Sequence, residues 1–300
     1  TGDVQSTSQN GSQLAGFRNQ LINGDFRVWQ RGTTKNFTGV APDQLSDFYI
    51  ADRWNVSFNS SAGVNATASR TSFATTDIPG AVWGFNFAQP GAIGIGISQL
   101  IETEPSTNGV FTNGSSWTLS WWTDNANVQA QVQWGDATAP VLNATTRQTL
   151  ETIGSFTRYS TTVTISSNAR VGDLGLRVVL YDPGAAPASF SVTQIQLEPG
   201  PVATPFEHRP IGTELALCQR YYQTCRNLRL SPQDITSTGK EISIPRFVTM
   251  RADPTETGTP SASMSSVTYS GRANNLRITG QTNTASQGAQ ISDYTADAEL

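Results

Sequence analysis

Charge is scarce in this sequence. Asp, Glu, Lys and Arg make up 14% of its 300 residues, against roughly 25% in ordinary soluble domains. Lysine is nearly absent, with only Lys35 and Lys240. The net charge is −4, and no Lys/Arg cluster is available to neutralise phosphates, which excludes a nucleic-acid partner. His208 is the one histidine, so any Ser-His-Asp or Cys-His mechanism would have to use it. It lies between Glu207 and Arg209 in a proline-bounded loop, without a Gly-x-Ser-x-Gly nucleophile motif. A single histidine also argues against a zinc centre. Cys218 and Cys225 are the only cysteines. On a continuous helix they would be separated by about 10.5 Å of rise, beyond the reach of a disulfide, so both read as buried thiols, in keeping with assembly in a reducing cytoplasm. No apolar run approaches the ~20 residues that span a bilayer, so membrane insertion is not expected. The polar stretch Thr1 to Ser12 shows no signal peptide.

Ser, Thr, Asn and Gln fill the space that charge leaves, and they alternate with apolar residues. Trp54, Val56 and Phe58 interleave with Arg53, Asn55 and Ser57. Ile93, Ile95 and Ile97 interleave with Gly94, Gly96 and Ser98, and Leu174, Leu176, Val178 and Leu180 with Gly175, Arg177, Val179 and Tyr181. A period of two with one apolar face predicts strands covered on one side. Runs of this kind, separated by Asn-Gly, Pro-Gly and Ser/Thr clusters, predict an all-β protein whose residues 20–200 form a jelly-roll β-sandwich. Residues 1–19 are polar and predict a linker or docking arm.

The stretch from Trp117 to Trp134 predicts a hairpin turning at Asp124 to Asn127. It would pair Trp121 with Ala130, Leu119 with Val132 and Trp117 with Trp134 on one face. The other face would then carry Thr118, Ser120 and Trp122 opposite Gln133, Gln131 and Gln129. With Arg177 and Tyr181 from a neighbouring strand, this constellation suits a sugar site. A flat aromatic stacks on a pyranose, while amides and Arg bond its hydroxyls. Alternatively, Trp122 is covered by a loop or a subunit. Trp29, flanked by Arg27 and Arg31, is either a cation–π platform or packing beneath the proline-rich crossing. Glycoside hydrolysis would need two carboxylates about 5–10 Å apart. Glu102/Glu104 and Asp43/Asp47/Asp52 are the clusters, but such acidic loops are common on plain sandwiches, and the stacked-coil repeat of a β-helix depolymerase is missing. A non-enzymatic protein is expected.

Pro199, Pro201, Pro205 and Pro210 exclude both helix and central strand from their segment. A short helix is then expected, with Thr213 as N-cap, Glu214 against the positive dipole end, and Leu215, Cys218, Tyr222 and Cys225 along one face. Residues 201–225 thus read as a crossing and an assembly helix. Residues 226–300 read as a smaller β unit with strands near Glu241–Met250, Ser263–Tyr269 and Leu276–Gly280. Its few large apolar residues leave it marginal alone.

The string from Gln196 to Tyr222, with Gln-Leu-Glu, Ala-Thr-Pro-Phe-Glu, Arg-Pro and Glu-Leu-Ala-Leu-Cys-Gln-Arg-Tyr-Tyr, resembles a segment near the C-terminus of bacteriophage tail fibre and related virion proteins. Leu21-Ile22-Asn23-Gly24-Asp25-Phe26, Trp29-Gln30-Arg31-Gly32, Ala51-Asp52-Arg53-Trp54 and the closing Tyr294 to Leu300 match the same group. The two ends of the sandwich are also similar to carbohydrate-binding modules of galactose-binding-like topology. These resemblances imply a structural phage protein located in the virion and assembled in the bacterial host cytoplasm. A tail fibre contacting host surface polysaccharide is the first expectation, and a capsid decoration or head-fibre protein the second. A polysaccharide-cleaving tailspike is the third. They imply a homotrimer, an N-terminal arm that meets other virion proteins, and no cofactor beyond a structural Ca²⁺ shared by Asp25 and Glu198.

Overall fold

The structure, a computed structural model, describes residues 8–9, 12–13, 17–40, 48–59, 64–74, 76–88, 94–102, 110–134, 146–165, 175–183, 189–230, 240–262, 264–282 and 289–299. The chain divides into two compact units, Thr1–Arg209 and Pro210–Leu300. The boundary falls inside the segment that the sequence sets apart as 201–225, so the crossing belongs to the first unit and the helix to the second.

In the first unit the strands are β1 (Ser8–Gln9), β2 (Ser12–Gln13), β3 (Thr34–Val40), β4 (Asn55–Asn59), β5 (Val64–Ser72), β6 (Trp83–Ala88) and β7 (Gly94–Ile101). They continue as β8 (Ser116–Thr123), β9 (Gln129–Trp134), β10 (Gln148–Ile153), β11 (Phe156–Thr164), β12 (Leu176–Asp182) and β13 (Ser189–Pro199). One sheet runs β10-β11-β8-β13-β6-β5-β3 and a second runs β4-β7-β12-β9. The pairs β6–β13, β7–β12 and β8–β11 are antiparallel and nested, and the chain changes sheet between β6, β7, β8 and β9. This is a jelly roll. The alternation read from the sequence supplies its core. Trp54, Val56, Phe85, Phe87, Ile97, Trp121, Trp134, Val178, Leu180 and Leu197 belong to one buried cluster between the sheets.

The predicted hairpin is not formed. β8 pairs with β11 and β13 in the seven-stranded sheet, whereas β9 pairs with β12 in the four-stranded one. Trp117 and Trp134 are both buried in the core, approached from opposite sheets, with Phe111 in ring contact with each. Two consecutive strands with one apolar face can bury that face side by side or face to face. Parity is the same in both arrangements.

Within β13 the pairing to β8 shifts register between Thr193 and Gln196, and Gln194 takes φ 50°. This bulge moves the inward parity from Phe190 and Val192 to Ile195 and Leu197. Gln196 and Glu198 are thereby turned to the outer face, next to Ser120 and Thr118. That face is polar yet buried, because residues 199–209 strap across it. The Thr118 hydroxyl donates to the Gly200 carbonyl at 2.7 Å. Arg158 donates to the Thr204 carbonyl. Glu198 accepts from the Thr204 amide at 2.8 Å, the Thr204 hydroxyl at 2.6 Å and the Gln196 side chain at 2.8 Å. The strap also fastens the start of the sandwich. Arg209 donates to the carbonyls of Asn19 and Leu21, and Glu207 accepts from the Asn19 amide at 3.0 Å. Arg18 and Asn19, which the sequence assigns to the arm, thus bond with the sandwich body.

In the second unit, helix α1 runs Ile211–Gln219 with Pro210 as its N-cap. Thr213 lies inside the first turn beside Glu214 and caps nothing. The helix stops before Tyr222, which opens β14 (Tyr222–Leu230). Tyr222 and Cys225 are therefore strand residues, paired across from Asp297 and Tyr294, and only Leu215 and Cys218 of the expected stripe are helical. Both cysteines are free thiols, but only Cys218 is buried and Cys225 is half-buried, and the helical rise invoked for them does not apply. The remaining strands are β15 (Lys240–Pro245), β16 (Thr255–Pro260), β17 (Met264–Tyr269), β18 (Asn275–Thr282) and β19 (Ala289–Asp297). They form the three-stranded sheets β14-β19-β16 and β15-β18-β17 around Met250, Met264, Leu276, Ile278, Ile291 and Tyr294.

Candidate functional site

The outer face of the four-stranded sheet carries a groove of about 500 Å³, within the range of ligand pockets. Strand register builds it. Ser57, Gly96, Tyr181 and Gln129 face one another across β4, β7, β12 and β9, and Asn55, Ser98, Val179 and Gln131 form the next row. Arg177 stands opposite Gln133 one step further on. Gly94 and Gly96 give the groove a floor without side chains. A Cβ on Gly96 would stand 3.0 Å from the Leu180 carbonyl oxygen and 3.1 Å from the Tyr181 Cβ.

Tyr181 is pinned. Its hydroxyl accepts from the Gln131 Nε2 at 3.1 Å and donates to the Gln129 Oε1 at 2.8 Å. Two amides on β9 thus draw the ring over that strand and leave the glycine floor open. The resulting surface joins an aromatic ring, amides, hydroxyls and a guanidinium, the set of groups that recognises sugars.

Five of the six residues expected at a sugar site, Gln129, Gln131, Gln133, Arg177 and Tyr181, therefore share this face. Trp122 does not. It is on the other sheet and only 3% exposed, buried with Ile78 and Ala81 and against Phe73, Ile153 and Phe156. Its strand neighbours are Arg158 and Thr193. Its parity away from the main core is as expected, but a second layer covers it. Gly94, Gly96, Ser57 and Ser98 were missed as site residues. The signal for Gly94, Gly96 and Ser98 was a run of small residues on the outward parity of the central strand β7, and Ser57 adjoins them from the edge strand β4.

Asp25 and Glu198 have separate partners. Asp25 pairs with Arg27 at 2.5 Å and lies 3.8 Å from the His208 Nδ1. Glu198 takes the Thr204 and Gln196 donors. The two carboxylates share no partner among these contacts, and the Asp25 Oδ1 is buried without a hydrogen bond. Among the described residues, no group of three His, Cys, Asp and Glu side chains could hold a metal ion. Asp52 accepts from the Gln30 amide and side chain, each at 2.6 Å, while Asp43, Asp47 and Glu104 lie outside the described residues. Trp29 stacks on Phe85 at 5.9 Å and donates to the Phe26 carbonyl at 2.6 Å, so it packs, half-buried, on the core. No described helix is long and apolar enough to cross a membrane.

The motifs that carried the phage resemblance bond to one another. Asn19 accepts from the Leu21 and Leu197 amides, each at 3.0 Å. Asn23 donates to the Val28 and Asp52 carbonyls, and its own carbonyl accepts from the Trp54 indole at 2.9 Å. A Cβ on Gly24 would overlap the Ile195 carbonyl oxygen. These residues are the joinery of the sandwich and lie apart from its groove.

No protein-family model matches the chain, and no curated protein is similar to it in sequence. Several solved structures are similar to part of it. One is the enzymatically active domain of bacteriophage CBA120 tailspike protein 4, with 12% identity over 65% of this chain and 24% of that one, TM-score 0.37. Another is TmCBM61 in complex with β-1,4-galactotriose, with 15% identity over 61% of this chain and 99% of that one, TM-score 0.34. A third is the Stig cyclase Fisc from Fischerella sp. TAU, with 14% identity over 56% of this chain and 100% of that one, TM-score 0.36. Superpositions this loose assign neither a family nor a ligand, and the groove is read from its own residues.

Proposed function

We propose that this chain is a structural, non-enzymatic bacteriophage protein of the tail-fibre kind, whose sandwich contacts host surface glycans through the groove on the four-stranded sheet. The observation that supports the reading is the convergence of Tyr181, Gln131, Gln133 and Arg177 around a glycine floor on one outward face. Ring stacking on Tyr181 would orient a sugar, and the amides and serines would bond its hydroxyls. The proposed assembly is a homotrimer, with residues 1–16 meeting other virion proteins. The test is Tyr181→Ala, assayed by melting and by binding to an oligosaccharide array and to bacterial surface polysaccharides. Lost binding with an unchanged melt supports the groove. Binding equal to that of the parent chain would move the contact out of the groove, and no binding by the parent chain itself would remove the receptor role and leave the decoration-protein reading in its place.

A further inference from the structure

Resting on that reading, we propose that the groove takes the terminal disaccharide of a glycan chain, entering end-on, and not a stretch from the middle of the chain. The outward residues of β7 grow in size along the strand. Gly94 and Gly96 have no side chain, Ser98 has a small one and Leu100 a large one. Leu100 stands opposite Arg177 on the same face and is 6% exposed. The floor that begins as bare backbone therefore ends against a buried side chain. β9 closes in step with β7. Its outward glutamines run from exposed Gln129 through half-buried Gln131 to Gln133, which is 5% exposed. Across β12, Gly96 is in the row of Gln129, Ser98 in that of Gln131 and Leu100 in that of Gln133, so both strands become covered at the same end. At the other end Gly94 is half-buried and Pro183 exposed, and both line the groove. The groove is thus a trough along β7, open beside Gly94 and shut at Leu100.

A trough of this shape selects by position in the glycan. A chain threading through it would have to pass the buried Leu100, whereas a chain that ends short of Leu100 does not. Strand geometry also sets the length that is read. From Gly94 to Ser98 is four residues, about 13 Å along the strand, room for about two linked sugar rings. Tyr181 stands beside Gly96, midway along that length, so its ring meets the junction of the two units. The inner unit then lies against the Ser98 hydroxyl and the Gln131 amide. Units beyond the second lie outside the trough and gain no contact in it.

The experiment uses the full chain and calorimetry with linear mono- to tetrasaccharides of glucose, galactose, mannose and N-acetylglucosamine. Each tetrasaccharide is also made with a bulky aromatic tag on its reducing end, and separately with a benzylidene cap on its other end. In a series that binds, affinity should rise roughly ten-fold or more from mono- to disaccharide, the worth of one or two further hydrogen bonds, and stay level from there. One of the two caps should abolish binding of the tetrasaccharide and the other should be tolerated. Ser98→Leu moves the closed end one row outward and should bring the disaccharide down to the affinity of the monosaccharide. End recognition is overturned if affinity does not rise at the disaccharide or keeps rising to the tetrasaccharide, or if both caps are tolerated or both abolish binding. Unchanged disaccharide binding by folded Ser98→Leu overturns it as well. If Tyr181→Ala still abolishes binding in those cases, the groove remains a glycan site that does not read chain ends. If no series binds the parent chain, or Tyr181→Ala changes nothing, the groove reading falls and end recognition falls with it. Melting curves confirm that each variant is folded, and the comparison of caps needs no variant.

Discussion

Trp122→Ala separates two roles for an aromatic that faces away from the core. On an open sugar-binding face it would abolish binding and leave stability alone. Here the indole is 3% exposed and lies among Ile78, Ala81, Phe73, Ile153 and Phe156. An aromatic side chain buries on the order of 200 Å², which at ~25 cal/mol per Å² is about 5 kcal/mol. Large-to-small aromatic changes cost about 3–5 kcal/mol once neighbours relax. This cluster is a satellite, and its half-buried Phe73, Ile153 and Phe156 are able to move into the space, so the expected cost is near the lower figure, about 3 kcal/mol. Trp121→Ala, one position away and in the main core at 0% exposure, should reach the upper one. For a unit of this size, a 3 kcal/mol loss corresponds to a fall in melting temperature of roughly 6–12 °C. Urea unfolding and thermal melts of the two variants provide the comparison, with saccharide binding measured on the folded fraction. A loss under about 1 kcal/mol for Trp122→Ala, or binding lost with the melt unchanged, would show that the tryptophan is open to ligand and that the covering layer has been misassigned.

Glu198→Ala removes the acceptor for the Thr204 amide, the Thr204 hydroxyl and the Gln196 amide, and should lower the urea-derived stability by about 2–4 kcal/mol. A change near zero would mean that the strap does not hold the sheet. In the second unit, burial first and then the Glu256 carboxylate raise the phenol of Tyr294 above its ordinary value, and the same two causes raise Tyr269. The folded state thus holds these protons more tightly than the unfolded one. Their contribution is complete below the ordinary phenol value of ~10 and is lost as pH climbs through the raised folded values. In alkaline titration Tyr294→Phe and Tyr269→Phe should each remove one late-ionising tyrosine from the parent curve; loss of an ordinary, early-ionising one instead would refute the burial. Thiol labelling should modify half-buried Cys225 before buried Cys218, and equal rates would contradict the burial of Cys218. Sedimentation of the purified chain should give a trimer, and a stable monomer at micromolar concentration would remove the assembly role.

The sequence by itself determined the strand content and, along each strand, which side chains go inward. Period-two alternation is a local property, enforced by the pleat. It placed Trp117, Trp121, Trp134 and Leu119 in the core and turned Gln131, Arg177 and Tyr181 outward, all of which the structure keeps. Prolines marked the strap for an equally local reason, since they forbid helix and ladder alike. Tertiary structure alone decided which strands are neighbours. The face that β8 turns to the core is the same whether β9 lies beside it or across from it, so the periodicity carried no information on that choice. Trp122 and the glutamines of β9 therefore share a face in the sequence reading and sit on different sheets in the fold. The same limit applies to the helix, where apolar spacing continued from Leu215 through Cys225 but the backbone turned to pair with β19. Contacts between distant segments, such as the pairing of Tyr222 with Asp297 and the hydrogen bonds of Arg209 to Asn19 and Leu21, determine where a local pattern ends and what comes to cover it.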